Sequence, residues 1–341
     1  MHDAFFEGHH FLGVAINHHG ELLGTVKRNH YSDDPYMVYK WDRAGQKSWE
    51  LEMQWPWPCA LGDDGTAYIG DRGEDKRPST LRPISATGAP MSPRRLPLAA
   101  VQAMALSPDG DKLALVGDDY MVVQEGSAAT KRAITAGNAP IVLPTSNLRA
   151  QPVQLKKGHS KATGIHVLTW SDDGATVFSI GSASPYRFTY CARDAATGKI
   201  CFRGKVVSTA PLGSNYFVWK QGMGFGDFEI WSPGAKQPTD QGRIKTPDVT
   251  TGIATRRPMA SLLSGRFMAI LSRKGVLVVS RDQSTAVAFH SYPSLVADAF
   301  FVDEAHASDL SLYTSPRGTH VLIDFEIQRR SILLDAEKLV G

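Results

Sequence analysis

Short apolar runs alternate along this chain with polar stretches that carry Gly, Asp or Asn. Phe11 to Ile16, Ala103 to Leu106, Lys112 to Val116, His166 to Trp170 and Thr176 to Ile180 are examples of the runs. Runs of four to eight residues rich in Val, Ile, Phe, Tyr and Trp dominate the chain, and no stretch of a dozen or more residues holds a helical period, so the runs predict β-strands. One polar signature returns between paired strands: Asn17-His-His-Gly20, Gly62-Asp-Asp-Gly65, Ser107-Pro-Asp-Gly110, Ser171-Asp-Asp-Gly174, Pro211-Leu-Gly213, Leu263-Ser-Gly265 and Ser315-Pro-Arg-Gly318. Gly, Asp and Asn supply the turn conformations that other residues resist, so each occurrence predicts a hairpin.

The glycines of that signature fall 45, 45, 64, 39, 52 and 53 residues apart, which is the period of a four-stranded propeller blade with loops of variable length. Seven marks imply seven blades. A weaker signal follows each, at Arg43-Ala-Gly45, Ala86-Thr-Gly88, Glu125-Gly126, Ala195-Ala-Thr-Gly198, Ser232-Pro-Gly234, Asp282-Gln-Ser284 and Asp335-Ala336, and predicts the turn between third and fourth strands. After the seventh mark the chain has room for second and third strands but stops at Gly341 before a full fourth. Residues near Asp3 to Phe6 are expected to supply it and close the ring, which removes the open sheet edges that invite aggregation. The expected fold is all-β: a seven-bladed β-propeller of four-stranded antiparallel blades, one domain over residues 1–341, its last blade completed by an N-terminal strand.

Composition narrows the function classes. A hydrophobic content of 42% over 341 residues can bury a large core, and the repeat outweighs the length argument for two domains. The net charge of +3 comes from interspersed basic and acidic residues, with no basic arm, which argues against nucleic acid. No apolar run approaches a membrane-spanning length, and Met1-His-Asp-Ala carries no secretory pattern, so the cytoplasm is the expected compartment. Three cysteines are too few for a disulfide framework. Cys191 and Cys201 flank one turn nearly symmetrically and could face each other across a hairpin; two reduced thiols are the plainer expectation.

A family likeness rests on the segment from Gly158 to Gly204. Gly158-His159, Ile165-His-Val-Leu-Thr-Trp-Ser171, Asp172-Asp-Gly174 and Asp194-Ala-Ala-Thr-Gly-Lys199 look like one WD40 repeat, and Ala105-Leu-Ser-Pro-Asp-Gly110 repeats its turn. The overall pattern resembles WD40-like β-propellers over nearly the whole chain. Only Trp41-Asp42 keeps that family's strand-ending dipeptide, and no other blade has a Gly-His opening at matching spacing, so its His–Asp hydrogen-bond network does not carry over.

Propellers of one shape serve many functions, so function has to come from particular residues. First-to-second and third-to-fourth turns open on one face of such a ring, and the remaining connections open on the other. Length is expected on that second face: Asn138 to Thr163 between blades three and four, with Lys156 and Lys157; Thr246 to Pro258, with Arg256 and Arg257; Ser291 to Asp309, with Tyr292; and Trp55-Pro-Trp57-Pro58. Long loops in compact domains tend to be functional, and aromatics with Arg amid mixed charge have the make-up of a protein-binding surface. The reading is a non-catalytic protein-interaction platform that binds a partner protein through Trp55, Trp57, Lys156, Lys157, Arg256 and Arg257, with no cofactor, no nucleic acid and no membrane.

Enzymatic signatures are sparse. No Gly-x-Ser-x-Gly, His-Glu-x-x-His or phosphate loop occurs. Gly222-Met-Gly-Phe-Gly226 precedes Asp227 to Trp231, which reads as a strand where a dinucleotide loop needs a helix. His9-His10 and His18-His19 bracket one strand, and roughly 25 Å of extended chain separates them, so they cannot share a metal. Asp63-Asp64 and Asp172-Asp173 fall in tight turns, where carboxylates stabilise the backbone locally. The alternative function is a hydrolase or lyase with a metal or polar site at the channel mouth on the long-loop face, built from His30, Asp33, Asp303 and His306. Carbohydrate recognition through the aromatic loops is a third possibility.

Overall fold

The computed structural model describes residues 4–9, 11–27, 36–54, 56–71, 79–98, 100–117, 139–158, 164–184, 187–204, 208–222, 225–245, 259–272, 275–281, 285–295, 310–325 and 329–341. Strand β1 (Ala4–Glu7) stands apart from its neighbours in sequence. Blade one is β2 (Phe11–Ile16), β3 (Leu22–Lys27), β4 (Tyr36–Trp41) and β5 (Lys47–Met53). Blade two is β6 (Pro56–Leu61), β7 (Ala67–Asp71), β8 (Thr80–Ile84) and β9 (Arg94–Arg95). Blade three is β10 (Val101–Leu106), β11 (Lys112–Gly117), β12 (Ile141–Pro144) and β13 (Val153–Gln154). Blade four is β14 (Gly164–Trp170), β15 (Thr176–Ser184), β16 (Arg187–Asp194) and β17 (Ile200–Gly204).

Blade five is β18 (Ser208–Leu212), β19 (Asn215–Gly222), β20 (Phe225–Trp231) and β21 (Asp240–Lys245). Blade six is β22 (Met259–Leu262), β23 (Phe267–Leu271), β24 (Gly275–Ser280) and β25 (Thr285–Ser291), followed by the single turn α1 (Tyr292–Leu295). Blade seven is β26 (Leu310–Thr314), β27 (His320–Phe325) and β28 (Arg330–Asp335), followed by α2 (Ala336–Val340). Its fourth strand is β1, paired antiparallel with β28 from Ala4↔Leu333 to Glu7↔Arg330. The closure is reinforced at its edge, where Arg330 meets the Glu7 carboxylate at 2.6 Å.

The seven hairpin signatures all turn where the sequence places them. Gly20, Gly65, Gly110, Gly174, Gly213, Gly265 and Gly318 each have φ between 62° and 80°, the left-handed region that costs a Cβ-bearing residue roughly 1–2 kcal/mol. Among the described residues seven apolar clusters follow, one in each seam between neighbouring blades. Both faces of an inner strand are therefore covered, and β24 and β27 are buried at every position. This explains why the runs read as continuously apolar, since alternation would require one face in water.

Three sequence expectations are corrected. Blade three takes its third and fourth strands from Ile141–Pro144 and Val153–Gln154, so its outer turn is not at Glu125-Gly126, which lies outside the described residues. The stretch Asn138 to Thr163 is accordingly no free inter-blade loop: it contains half a blade. Asp335-Ala336 forms no strand-to-strand turn; the Asp335 carboxylate accepts from the Glu337 N–H and caps α2.

Candidate functional site

The innermost strands β2, β6, β10, β14, β18, β22 and β26 surround an axial channel with about 140 Å³ of room for water-sized molecules. Its exposed surface is slightly more polar than apolar, because the side chains of the innermost strands turn mainly into the seams. Val14, Leu61, Leu106, Leu168, Met259 and Leu312 contribute to it, with Thr169, Ser261, Thr314 and Ser315 as the hydroxyl groups. Asp172 is the single charged residue of the lining among the described residues.

The first-to-second turns close one end. Arg317, in the turn of blade seven, donates from Nε to the Pro108 carbonyl of blade three at 3.0 Å. Blades three and seven are not neighbours in a ring of seven, so this bond crosses the axis. Asp172 makes a second brace that skips a blade. Its Oδ2 accepts from the Gly213 N–H of blade five at 2.6 Å and from the Ser261 hydroxyl of blade six at 3.0 Å. Burial pushes the Asp172 carboxyl up, against the pull of those two donors, with Asp173 adding to the rise and Arg281 opposing it.

The paired aspartates divide their work by position. Asp64 and Asp173 sit third in their turns and accept from the Thr66 and Ala175 N–H groups, the local role expected of them. Asp63 and Asp172 sit second and leave their own blade. The Asp63 carboxylate meets His18 of blade one, taking the His18 N–H at 2.9 Å and lying 2.6 Å from its Nδ1. Sequence reasoning missed this pair of inter-blade links, and the turn position was the only signal for them.

A second polar site lies where the linker after β13 crosses blade four. Arg193 is fully buried, yet no carboxylate meets it among the described residues. Its Nε donates to the Lys156 carbonyl at 2.7 Å and Nη1 to the Ser179 hydroxyl at 2.7 Å. Arg203 donates to the Lys157 carbonyl at 3.0 Å, and the Lys156 N–H donates to Gly198 at 3.0 Å. The main chain of Lys156 and Lys157 is thus clamped while both side chains stand exposed, beside the exposed Lys199 and Arg203. A Cβ on Gly158 would collide with the Cys191 thiol and the Arg193 guanidinium, so only glycine lets the linker lie this close. Burial raises the Cys191 thiol, with the two guanidinium groups opposing the rise. Cys191 pairs across the hairpin with Arg203 and not with Cys201, and all three cysteines are free.

Trp55, Arg256 and Arg257 lie outside the described residues, as do His30, Asp33, Asp303 and His306. Trp57 belongs to the innermost strand β6 rather than to a connection. Tyr292, expected in a loop, is buried in the seam between blades six and seven, where its hydroxyl donates to the Ser272 carbonyl at 2.6 Å. No group of three His, Cys, Asp or Glu that could hold a metal occurs among the described residues, and no helix among them is long and apolar enough to cross a membrane.

Neither a family model nor a curated protein matches this sequence. Solved structures do match. The chain is similar to a hydrazine synthase structure from Kuenenia stuttgartiensis, at 15% identity and a TM-score of 0.59, over 97% of this chain and 96% of that one. It is also similar to the Cps50 (Swd1) β-propeller domain of Myceliophteria thermophila, at 10% identity and a TM-score of 0.58, over 96% of this chain and 97% of that one. With 1092 chains matching in all, the likeness belongs to a widely used shape. At such low identity it carries the fold alone: the chain is a seven-bladed β-propeller of the architecture that WD40 domains also use.

Proposed function

We propose that this propeller is a non-catalytic platform for a partner protein that presents acidic side chains, with Lys156 and Lys157 at the centre of the contact. The observation that carries the reading is the clamped linker. Lysines on a loose loop lose rotamer and backbone freedom when they bind, whereas a main chain already held by Arg193, Arg203 and Gly198 has less left to lose. Lys199 and Arg203 extend the positive patch, which speeds encounter with a negative surface and makes it salt-dependent. Trp55, Trp57, Arg256 and Arg257 are proposed as further contacts of the same partner.

The test is affinity capture from native lysate with the intact chain, a Lys156→Glu/Lys157→Glu variant and an Arg256→Glu/Arg257→Glu variant, each checked for an unchanged melting temperature. A partner held by the wild type, released by raised salt and lost from the lysine variant is the expected result. Retention of the same partner by the lysine variant would remove the patch from the interface.

A further inference from the structure

The connection from β1 to β2 carries the ring closure, and His9 lies on it. It leaves the outer edge of blade seven, where the Gly8 N–H donates to the Arg329 carbonyl at 2.8 Å, and enters blade one at its innermost strand. There the half-buried His9 ring packs on three aromatic rings of blade one, with centroids 6.0 Å from Phe11, 5.7 Å from Tyr39 and 5.3 Å from Trp41. Phe6 of β1 meets the same Trp41 ring at 5.4 Å. Neither His9 nitrogen has a hydrogen-bond partner among the described residues. The charged groups on β1, on β4 and beside those rings are engaged elsewhere: Glu7 with Arg330, Lys40 with Glu21, and Lys47 with Glu50, its ammonium 5.8 Å from the Tyr39 ring.

We propose that His9 is an acid-sensitive latch on the ring closure: the neutral imidazole holds the connection onto blade one, and the protonated imidazole leaves the aromatic rings for water and frees β1. An imidazolium carries a full charge and two N–H donors, and the three rings offer it neither a carboxylate nor a carbonyl. Attraction to the ring faces offsets only part of that cost. Burial accordingly lowers the His9 imidazole below its ordinary value of 6.5. Its contribution to stability is complete above 6.5, where the group is neutral both folded and unfolded, and is lost as pH falls from there through the folded value. β1 is the element that yields, because it has four residues and one ladder, to β28, and can detach as a local unit while the other blades keep all their strands.

The test is hydrogen exchange of the full-length protein, read by mass spectrometry and corrected for the intrinsic effect of pH. Lowering the pH from about 7.5 to about 5.5 should speed exchange in β1 and in its ladder partners on β28 by at least about threefold, with the inner strands β11 and β23 unchanged. His9→Phe, which keeps the ring packing and takes no proton, should remove the response. His9→Gln serves the same comparison should the phenylalanine variant fail to fold: its β1 exchanges fast at both pH values, with no response to acid. Glu7→Gln and His10→Gln should keep the response, since the proton is taken by His9. The proposal falls if exchange in β1 of the wild type does not change, if the His9 variants respond as the wild type does, if Glu7→Gln or His10→Gln abolishes the response, or if all seven blades loosen together.

Discussion

Asp63 and Asp172 stand at the same place in the same Asp-Asp-Gly turn, one in blade two and one in blade four, and they have opposite surroundings. The Asp63 side chain is 40% exposed and pairs with His18 of the neighbouring blade at the rim. Asp172 is half-buried at the channel end and ties blade four to blades five and six. The cause lies in the neighbours. Blade five has the shorter turn Pro211-Leu-Gly213, which leaves space for Asp172 to reach both the Gly213 N–H and, beyond it, Ser261. Blade one meets Asp63 with a full-length turn and the His18 ring. A local motif thus fixes a backbone shape, while the carboxylate of Asp172 bonds to the blades that follow and that of Asp63 to the blade before it.

The largest expected effect comes from crowding the Asp172 brace. Gly265 has φ +80°, and a Cβ there would collide with the Gly213 main chain and come within 2.6 Å of Asp172 Oδ2. Gly110 has φ +76° and nothing within 4 Å of its Cβ position. Gly265→Ala should lose about 3 kcal/mol or more and Gly110→Ala about 1 kcal/mol, measured by urea unfolding. Equal losses would mean that blade-skipping contacts add nothing to turn strain.

Removing the carboxylates comes next. Asp172→Ala leaves a backbone N–H and a hydroxyl without their acceptor and should cost about 1–3 kcal/mol, while Asp63→Ala at the exposed rim should cost under about 1 kcal/mol. Thermal melts of the two variants compare them directly, and a larger loss at Asp63 would reverse the assignment. Ser261→Ala, which deletes one donor to Asp172, should cost about 1 kcal/mol and little in an Asp172→Ala background, since the two groups share one interaction.

The smallest effect is in acid. The Asp172 carboxyl is raised above its ordinary value of 3.8, so between that value and its folded one the native state holds more protons than the unfolded state. Stability contributed by this group therefore falls as pH rises through the window, and Asp172→Asn should remove the fall. Asp194 goes the other way: the Thr197 hydroxyl and N–H lower its carboxyl, so its contribution is present above 3.8 and is lost as pH falls through the folded value. Urea midpoints between roughly pH 3 and 7 should show Asp172→Asn and Asp194→Asn departing from wild type with opposite slopes.

The turn glycines were legible because φ > 0 is a property of single residues, and all seven marks proved to be turns of that kind. Blade three was not legible in the same way. Its third strand is four residues long and its fourth two, too short for an apolar period to stand out, so the segment around Lys156 read as a loop. Arg193 was missed because a buried guanidinium balanced by carbonyl and hydroxyl oxygens leaves no paired acidic signal in the chain.

The sequence by itself determined the strand count, the seven hairpins and the ring closed by β1, because turn chemistry and apolar run length act within a few residues of one another. Only the tertiary structure decided which polar groups meet: Arg317 with Pro108, Asp172 with Ser261, Arg193 with Lys156. Those pairs lie 209, 89 and 37 residues apart along the chain, and what joins them is the closing of the ring and the packing of one blade on the next, which no local spacing encodes.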